Sequence, residues 1–495
     1  MGILEVNLLY DTALGENDTR RYCLAARDGT ESPTLHVRPG DHLVIHVTNK
    51  LPHPSAEHVM SMASRPSTSC GAGQMDSSSM NIHFHGLNAS PTCHQDEVIH
   101  TLVNSGDTFD YDVAIPPDEP PGLYWYHPHV HGNAEQAVLG GASGAIIVDG
   151  MERFQPAILG LRERVFVIRD QLRPDQPPPG NIVPAWDLSL NYVPIIYPQE
   201  SPGIVQMTDG QEQFWRVVNA SANTIVDLAL TFDGVAQTLQ LAALDGVPLG
   251  SQEGSGHAKL LPVKDIRLPP AGRAEFIVAP PPKSVKIARL FTTAIDTGTT
   301  GDSDPERPLA LIQTSTGAAA MAQPISSGPA TTWSQRFFGL TAAPVTKTRV
   351  LFFSQKGEEF YITPDGQEPT PFSATNPPSV VTHQGAVEEW IVQNRASENH
   401  EFHIHQIHFQ LASEDNFQIN GAQPVPALQG QMLDTVDLPA WDGKVTWDGK
   451  PLHPYPIVRL KMDFRGPDVG DFVFHCHILN HEDRGMMAII RVLPH

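Results

Sequence analysis

The sequence has few cysteines, no long apolar run and a deficit of positive charge. Its 495 residues include four cysteines and no CxxC pair, which argues against a zinc ribbon or a thioredoxin-type site. No apolar run reaches the length of a membrane span. With 32 Lys and Arg residues against 55 Asp and Glu residues, the net charge of −23 argues against binding nucleic acid or an anionic membrane. There is also no GxGxxG motif for a dinucleotide carrier.

Helical periodicity is scarce, whereas proline and glycine are abundant. The chain has 45 prolines and 39 glycines between short alternating apolar segments, which predicts an all-β, loop-rich protein. The length predicts about three domains, which we place at residues 1–152, 153–340 and 341–495. Near the start, Leu35–Val37 and Leu43–Val47 alternate around the turn Arg38–Asp41. This pattern predicts a hairpin with one buried face.

Metal-binding side chains are nearly absent from the middle of the chain. Between His131 and His383 there is one histidine, His257, and no cysteine. The middle domain therefore cannot supply a His-rich metal site. Its predicted role is to hold the two outer domains in register.

The stretch Asp471–Met487 carries the most informative pattern in the chain. The apolar run Phe472–Phe474 predicts a buried strand, on which alternate side chains point to opposite faces. His475 and His477 would then face one side and Cys476 the other. His481 and Met486 follow, and one thiolate, imidazoles and a weak thioether form the ligand set of a blue-copper site.

Three further His-x-His pairs accompany the pair around Cys476. The four pairs are His83 and His85, His127 and His129, His403 and His405, and His475 and His477. Eight imidazoles without a carboxylate suit copper. His400, just before the third pair, can complete a site with Cys476 and His481.

These four motifs resemble those of three-domain multicopper oxidases of the laccase type, the kind found in bacteria. The resemblance implies three cupredoxin-like Greek-key β-sandwiches and four copper ions per chain. It also implies a ligand set for each copper site: type 1 copper on His400, Cys476 and His481 with Met486 as weak axial ligand, type 2 copper on His83 and His403, and two type 3 coppers on His85, His127, His129, His405, His475 and His477.

The resemblance also implies the reaction. A reducing substrate, a phenol or an aromatic amine, would give one electron near His400 or His481. Electrons would pass through Cys476 to a cluster between the first and third domains, where O2 becomes water. Asp96 and Glu482 match acidic positions of the family and are candidate proton relays; the alternative is that they are surface carboxylates or turn formers.

Two positions depart from the family pattern. Glu401 and Gln406 stand where the third motif commonly has Pro and Gly. The metal ligands are intact, but Glu401 is expected to change the substrate surface or the copper potential. With Met486 as axial ligand, we expect a low- to medium-potential enzyme.

Several alternatives stay open at this point. The four methionines of residues 53–80 suggest a cuprous oxidase for copper tolerance, although a flexible loop explains them as well. Bilirubin oxidation is another option, whereas a non-catalytic cupredoxin scaffold is disfavoured because no ligand is missing. Cys70 and Cys93 either form a disulfide or remain free thiols.

Oligomeric state and location are expectations only. A chain that carries its whole cluster is expected to be a monomer. Residues 1–5 lack the pattern of a secretory signal, so the protein is either cytoplasmic or has lost its signal peptide. Copper use favours a periplasmic or secreted protein.

Overall fold

The computed structural model describes residues 2–14, 20–53, 70, 73–173, 183–252, 258–315, 325 and 335–495. Within these residues six β-sheets form three pairs, each pair built from one stretch of the chain, and the helices are short. The predicted all-β class is confirmed. His257 and two of the loop methionines, Met60 and Met62, lie outside the described residues.

The first pair of sheets uses residues 3–148. Its strands are β1 (Ile3–Leu14), β2 (Arg20–Ala26), β3 (Leu35–Val37), β4 (His42–Asn49), β5 (His83–His85), β6 (Thr108–Ala114), β7 (Gly122–His127) and β8 (Gly144–Val148), with helix α1 at Ala134–Leu139. One sheet has the order β2-β1-β4-β6 and the other the order β3-β8-β7-β5.

The predicted hairpin of β3 and β4 is wrong. The buried face is as expected, since Leu43, Ile45 and Val47 are fully buried. The two strands nevertheless belong to different sheets, because β3 pairs with β8 and β4 pairs with β1 and β6. Alternation identifies the face of a strand that is buried, but both sheets of a sandwich bury one face, so it does not identify the partner strand.

The second pair of sheets uses residues 162–315. Its strands are β9 (Arg162–Gln171), β10 (Asp187–Leu190), β11 (Val193–Ile195), β12 (Gly203–Thr208), β13 (Gln213–Asn219), β14 (Val226–Phe232), β15 (Val235–Ala236), β16 (Leu239–Leu244), β17 (Val247–Pro248), β18 (Leu261–Val263), β19 (Asp265–Leu268), β20 (Arg273–Val278), β21 (Ala288–Thr292) and β22 (Arg307–Ser315). Two 3₁₀ turns precede it, at Met151–Arg153 and Pro156–Ile158. The sheet orders are β11-β10-β9-β13-β20-β16-β17, with β18 beside β16, and β12-β22-β21-β14-β15, with β19 beside β14.

The third pair of sheets uses residues 347–493. Its strands are β23 (Lys347–Lys356), β24 (Glu359–Pro364), β25 (Val380–His383), β26 (Val387–Asn394), β27 (His400–Ile404), β28 (Phe409–Asp415), β29 (Met432–Leu433), β30 (Thr435–Leu438), β31 (Ile457–Asp463), β32 (Gly470–His475) and β33 (Met487–Leu493), with a 3₁₀ turn at Gln418–Asn420 and helix α2 at Leu479–Asp483. The sheet orders are β24-β23-β26-β31-β28-β29 and β25-β33-β32-β27-β30.

Apolar contacts join the three sheet pairs into one body. One buried cluster runs through both the second and third pairs, and a smaller one packs β7 and β8 of the first pair against β9 and β13 of the second. The proposed domain boundaries, 152/153 and 340/341, fall between the sheet pairs and stay predictions. No helix among the described residues has the length and apolarity needed to cross a membrane.

The long connection between β4 and β5 answers one open question. Cys70 and Cys93 form a disulfide with their Cα atoms 5.7 Å apart. Of the loop methionines within the described residues, Met80 is fully buried in the core of the first sheet pair and Met75 is 47% exposed.

Candidate metal centres

Each His-x-His pair lies at or just past the end of a strand. β5 ends at His85, β7 at His127, and β32 at His475. Ladder pairing brings two pairs of strands together, since His83 lies opposite His127 and His403 opposite His475. The sequence pattern predicted a strand through His475–His477, but β32 ends at His475. The two histidines and Cys476 still face opposite sides, as expected.

The first group of ring nitrogens belongs to His129, His405 and His475. Their three Nε2 atoms are mutually 3.2 Å apart in a fully buried space. His475 hydrogen-bonds through Nδ1 to the carbonyl oxygen of Cys476 (3.0 Å), which leaves its Nε2 lone pair facing the other two rings. Three nitrogens bound to one ion at about 2 Å would be about 3.5 Å apart in a trigonal arrangement. The spacing fits a metal ion.

The second group belongs to His85, His127 and His477, whose ligand atoms lie within 4.8 Å of one another. His127 hydrogen-bonds to the Pro128 carbonyl through Nδ1 (2.9 Å), and its Nε2 has no partner. Nδ1 of His85 and both ring nitrogens of His477 are likewise buried without a partner. Buried polar atoms are normally satisfied, so this group also fits a metal ion.

The third group is formed by His83 and His403 beside His85, again within 4.8 Å. Each ring is held from behind by a hydrogen bond through Nδ1: His83 to Asp96 (3.0 Å) and His403 to the carbonyl of Asp434 (2.8 Å). Their Nε2 atoms have no partner.

All eight imidazoles are buried and kept neutral. Burial lowers the pKa of each ring, and for most of them the neighbouring histidines lower it further. Neutral imidazole is the form that binds a metal ion, so burial prepares these side chains as ligands.

A separate centre surrounds Cys476. Its Sγ lies 3.7 Å from Nδ1 of His400 and 3.7 Å from Nδ1 of His481, and these nitrogens are 3.1 Å apart. His481 comes from α2 and stacks on Phe360, with ring centroids 4.3 Å apart. Met486 is fully buried, and its carbonyl accepts a hydrogen bond from the Cys476 amide (3.0 Å), which places its backbone beside the site.

The two predicted acidic residues both lie beside the histidines. Asp96 binds Nδ1 of His83 and accepts a hydrogen bond from the Phe84 amide (2.9 Å). Glu482 lies 3.2 Å from Nδ1 of His475. Both carboxyl groups are buried, and burial raises their pKa well above the ordinary value, so they are not surface carboxylates.

The two departures from the family pattern have structural consequences. Glu401 is fully buried, so the expectation that it alters the substrate surface is wrong. Its backbone amide instead donates to Cys476 Sγ (3.4 Å). Gln406 has a positive φ of 59°, where glycine is favoured, and its side-chain amide donates to Asp96 (2.6 Å).

Asp434 is a site residue that the sequence analysis missed. It lies between β29 and β30, is fully buried, and contacts both His85 and His403. The available signal was a charged residue inside the apolar run Met432–Val436, because a buried carboxylate requires partners.

A cavity of about 330 Å³ opens beside the Cys476 centre. His481 lines it together with three acidic residues, Glu398, Asp302 and Asp304, and one basic residue, Arg484. Oε2 of Glu398 lies 3.5 Å from Nε2 of His481. The sequence analysis missed this acidic lining, because the three carboxylates come from loops of two different sheet pairs.

Comparisons with known proteins agree with the geometry. Two family models, each described as multicopper oxidase, match residues 72–153 and 343–495. The chain is 23% identical to "Multicopper oxidase LPR1 homolog 3" of Oryza sativa subsp. japonica, over 83% of this chain and 85% of that protein.

Solved structures agree as well. The McoA multicopper oxidase of Aquifex aeolicus has a TM-score of 0.69 at 19% identity, covering 99% of this chain and 96% of that one. A multicopper oxidase of Campylobacter jejuni, described as a metallo-oxidase, has a TM-score of 0.67 at 20% identity, covering 100% and 92%. At these identities the likeness concerns the fold alone, and it confirms the predicted cupredoxin-like sandwiches.

Proposed function

The chain belongs to the multicopper oxidase family, and we propose that it is a laccase-like oxidase. It takes single electrons from phenols and aromatic amines at a type 1 copper and reduces O2 to water at a trinuclear copper cluster. The observation that carries this proposal is the continuity of His475, Cys476 and His477. The cysteine belongs to one centre and both flanking histidines to the other. A few covalent bonds therefore separate the two centres.

The proposed ligand roles follow the groups of nitrogen atoms. His400, Cys476, His481 and Met486 would hold the type 1 copper, and His83 and His403 would hold the type 2 copper. The type 3 pair takes the two remaining groups, which are His85, His127 and His477, and His129, His405 and His475. Bound copper would supply one-electron transfer and the activation of O2.

Asp96 and Glu482 are proposed to deliver the protons that O2 reduction consumes. Each contacts a histidine of the cluster, and burial raises the pKa of each carboxyl. A carboxyl group whose pKa is raised can take up a proton and pass it on. Gln406, through its hydrogen bond to Asp96, fixes the orientation of one of them.

The acidic cavity beside His481 favours reductants that carry positive charge. Glu398, Asp302 and Asp304 outnumber the one basic residue of the lining, Arg484, and would attract a cation. Burial raises the pKa of all three carboxyl groups, that of Asp304 to about 7, so this attraction grows as the pH rises. This supports aromatic amines that carry a separate cationic group, and it supports a second candidate function, oxidation of Cu(I). It argues against bilirubin, which carries two carboxylates. Of the two loop methionines within the described residues, Met80 is buried in the core and Met75 is half-exposed, so the main support for Cu(I) comes from the cavity.

Location and oligomeric state remain proposals. We place the protein in the periplasm or outside the cell, because disulfides such as Cys70–Cys93 persist in oxidising compartments. We propose a monomer, since one chain supplies every ligand.

The test of the proposed function is a spectrum of the copper-loaded protein. We expect an intense blue absorption band and both type 1 and type 2 signals in the EPR spectrum. Cys476→Ser should lose the blue band and phenol oxidation while it keeps the cluster copper. Cys23→Ser, the matched control at the other buried free cysteine, should keep all three. Phenol turnover in Cys476→Ser would contradict electron entry at this residue.

Substrate charge is tested by Glu398→Gln. We expect kcat/KM to fall about tenfold for Cu(I) or a cationic aromatic amine, because one attractive charge is lost. For a neutral phenol we expect a change within about twofold. The control is Glu212→Gln, at an exposed acid remote in sequence from the cavity residues. Equal losses for neutral and cationic reductants would show that the cavity charge does not select the substrate.

A further inference from the structure

Arg273 is a buried cation where all three parts of the chain meet. It begins β20 in the middle sheet pair and is fully buried. Its guanidinium binds both carboxylate oxygens of Asp434 in the third part of the chain, at 2.6 and 2.5 Å. It also donates to the carbonyl of Leu123 in the first part (3.3 Å). A bidentate arginine–carboxylate pair of this kind fixes direction as well as distance.

Asp434 passes this constraint on to two of the proposed copper ligands. Its Oδ1 lies 3.1 Å from Nε2 of His85, and its backbone carbonyl lies 2.8 Å from Nδ1 of His403. A histidine that donates through one ring nitrogen has its lone pair on the other. The remaining nitrogens, Nδ1 of His85 and Nε2 of His403, are buried and without a partner. Asp434 thus sets the tautomer and the orientation of both rings.

The ion pair is also supported from behind. Asp245, from the turn between β16 and β17, accepts a hydrogen bond from the Arg273 amide (2.9 Å). Its second oxygen accepts from the Asp434 amide (3.1 Å). A buried carboxylate that lost its cation would be strongly unfavourable, so Asp434 depends on Arg273 to stay where it is.

The glycine that follows His85 is a second, independent sign of this arrangement. A Cβ atom on Gly86 would collide with Nη2 of Arg273 and would lie 2.7 Å from Oδ2 of Asp434. The chain therefore leaves room at this position for the ion pair to reach the histidines.

We propose that Arg273 is a positioning residue for the trinuclear copper centre, acting through Asp434 on His85 and His403. The inference deepens the proposed function and rests on it. None of the proposed ligands comes from the described residues of the middle sheet pair, yet through this one side chain that pair orients ligands of the two outer pairs. A purely structural role, holding the sheet pairs together, is the competing explanation.

The test compares Arg273→Lys with Arg169→Lys. Arg169 is an equally buried arginine of the middle sheet pair that reaches the first pair through Ser143 (2.9 and 2.5 Å). The control thus breaks a similar contact between sheet pairs without touching a histidine contact. Lysine keeps the charge at both positions and removes the bidentate geometry.

We expect Arg273→Lys to keep the blue band but to release cluster copper to a chelator about tenfold faster, with altered type 2 EPR parameters. Arg169→Lys should leave both unchanged. Asp434→Asn, which keeps the size of the side chain, should reproduce the Arg273→Lys spectrum. The copper-free proteins should show similar Tm losses for the two lysine variants.

Two results would overturn the inference. Wild-type copper retention and EPR parameters in Arg273→Lys, with a Tm loss like that of Arg169→Lys, would mean that Arg273 is structural only. A wild-type protein that binds copper at the blue site alone would overturn the proposed trinuclear cluster, and this inference with it. The first result leaves the proposed function intact, so the two failures are distinguishable.

Discussion

At the scale of single residues, the chemistry depends on which buried atoms are left without partners. Several histidines of the proposed cluster, such as His127 and His403, are anchored through one ring nitrogen and direct the other, which has no partner, toward a common centre. Glu401 contacts the other centre, because its backbone amide donates a hydrogen bond to Cys476 Sγ. Burial raises the pKa of its carboxyl well above the ordinary value. Hydrogen bonds to the sulfur are one means of tuning the reduction potential of a blue-copper site. We therefore expect Glu401 to influence the copper potential.

Glu414 gives a prediction about pH at this scale. Burial raises its pKa to about 7, although its carboxylate accepts a hydrogen bond from the Val425 amide (2.7 Å). Below pH 4 the carboxyl is protonated in both folded and unfolded chains. Between about 4.5 and 7 the unfolded chain releases the proton first, so the free energy of unfolding falls with rising pH, by up to about 3 kcal/mol.

Glu414→Gln removes this titration and keeps an oxygen that can accept from Val425. The Tm of the variant should equal that of the wild type near pH 4 and exceed it increasingly up to pH 7. Above pH 7 the difference between the two Tm values should stay constant. Glu358→Gln, at an exposed turn between β23 and β24, is the control and should follow the wild type. A constant Tm difference across this pH range would rule out the proposed titration of Glu414.

At the scale of elements, strand ends and connections carry the site. The four His-x-His pairs lie where β5, β7, β27 and β32 end, and strand pairing holds His83 opposite His127 and His403 opposite His475. The connection before β5 is long, and the disulfide ties it to Cys93, three residues before Asp96. The covalent link therefore constrains the segment that supplies a proposed proton donor.

Removing this disulfide should cost stability. The bridge spans 23 residues, and closing a loop of that size is worth about 3 kcal/mol through the entropy of the unfolded chain. The double variant Cys70→Ser and Cys93→Ser should lose about that amount in a denaturant titration, whereas Cys23→Ser should lose less. An unchanged midpoint with an unchanged slope would mean that the unfolded chain is already restricted in this region.

At the scale of the whole molecule, the three sheet pairs pack closely against one another. Gly122, at the start of β7, lies directly against the backbone of Gly246 in the turn between β16 and β17. A Cβ atom at Gly122 would lie 2.6 Å from the carbonyl carbon of Gly246, and neither backbone can rotate away. At this point the first and second sheet pairs touch through backbone atoms.

Gly122→Ala should destabilise this contact by about 1–3 kcal/mol, since overpacking forces the two backbones apart. The loss should appear as a lower Tm and as faster proteolysis. Gly203→Ala, in β12, is the control, because the nearest atom to its added Cβ would be at an ordinary 3.5 Å. Equal Tm values for the two variants would contradict a close backbone contact at Gly122.

The sequence by itself determined the proposed ligand set and the fold class. His-x-His spacing and the position of Cys476 are local properties, and the period of two along a strand decides which side chains share a face. The prediction of three domains followed from length and from the family that the motifs resemble. The predicted pairing of β3 with β4 failed because alternation says nothing about which sheet a strand joins.

Only the tertiary structure decided what surrounds the ligands. Asp434, Arg273 and the acidic lining of the cavity have no spacing pattern, because residues distant in sequence meet there through the packing of three sheet pairs. The same holds for Glu401, whose burial could not be read from its neighbours along the chain. Which groups can bind a metal ion is a property of the side chains, whereas what holds and tunes those groups depends on long-range contacts that arise only on folding.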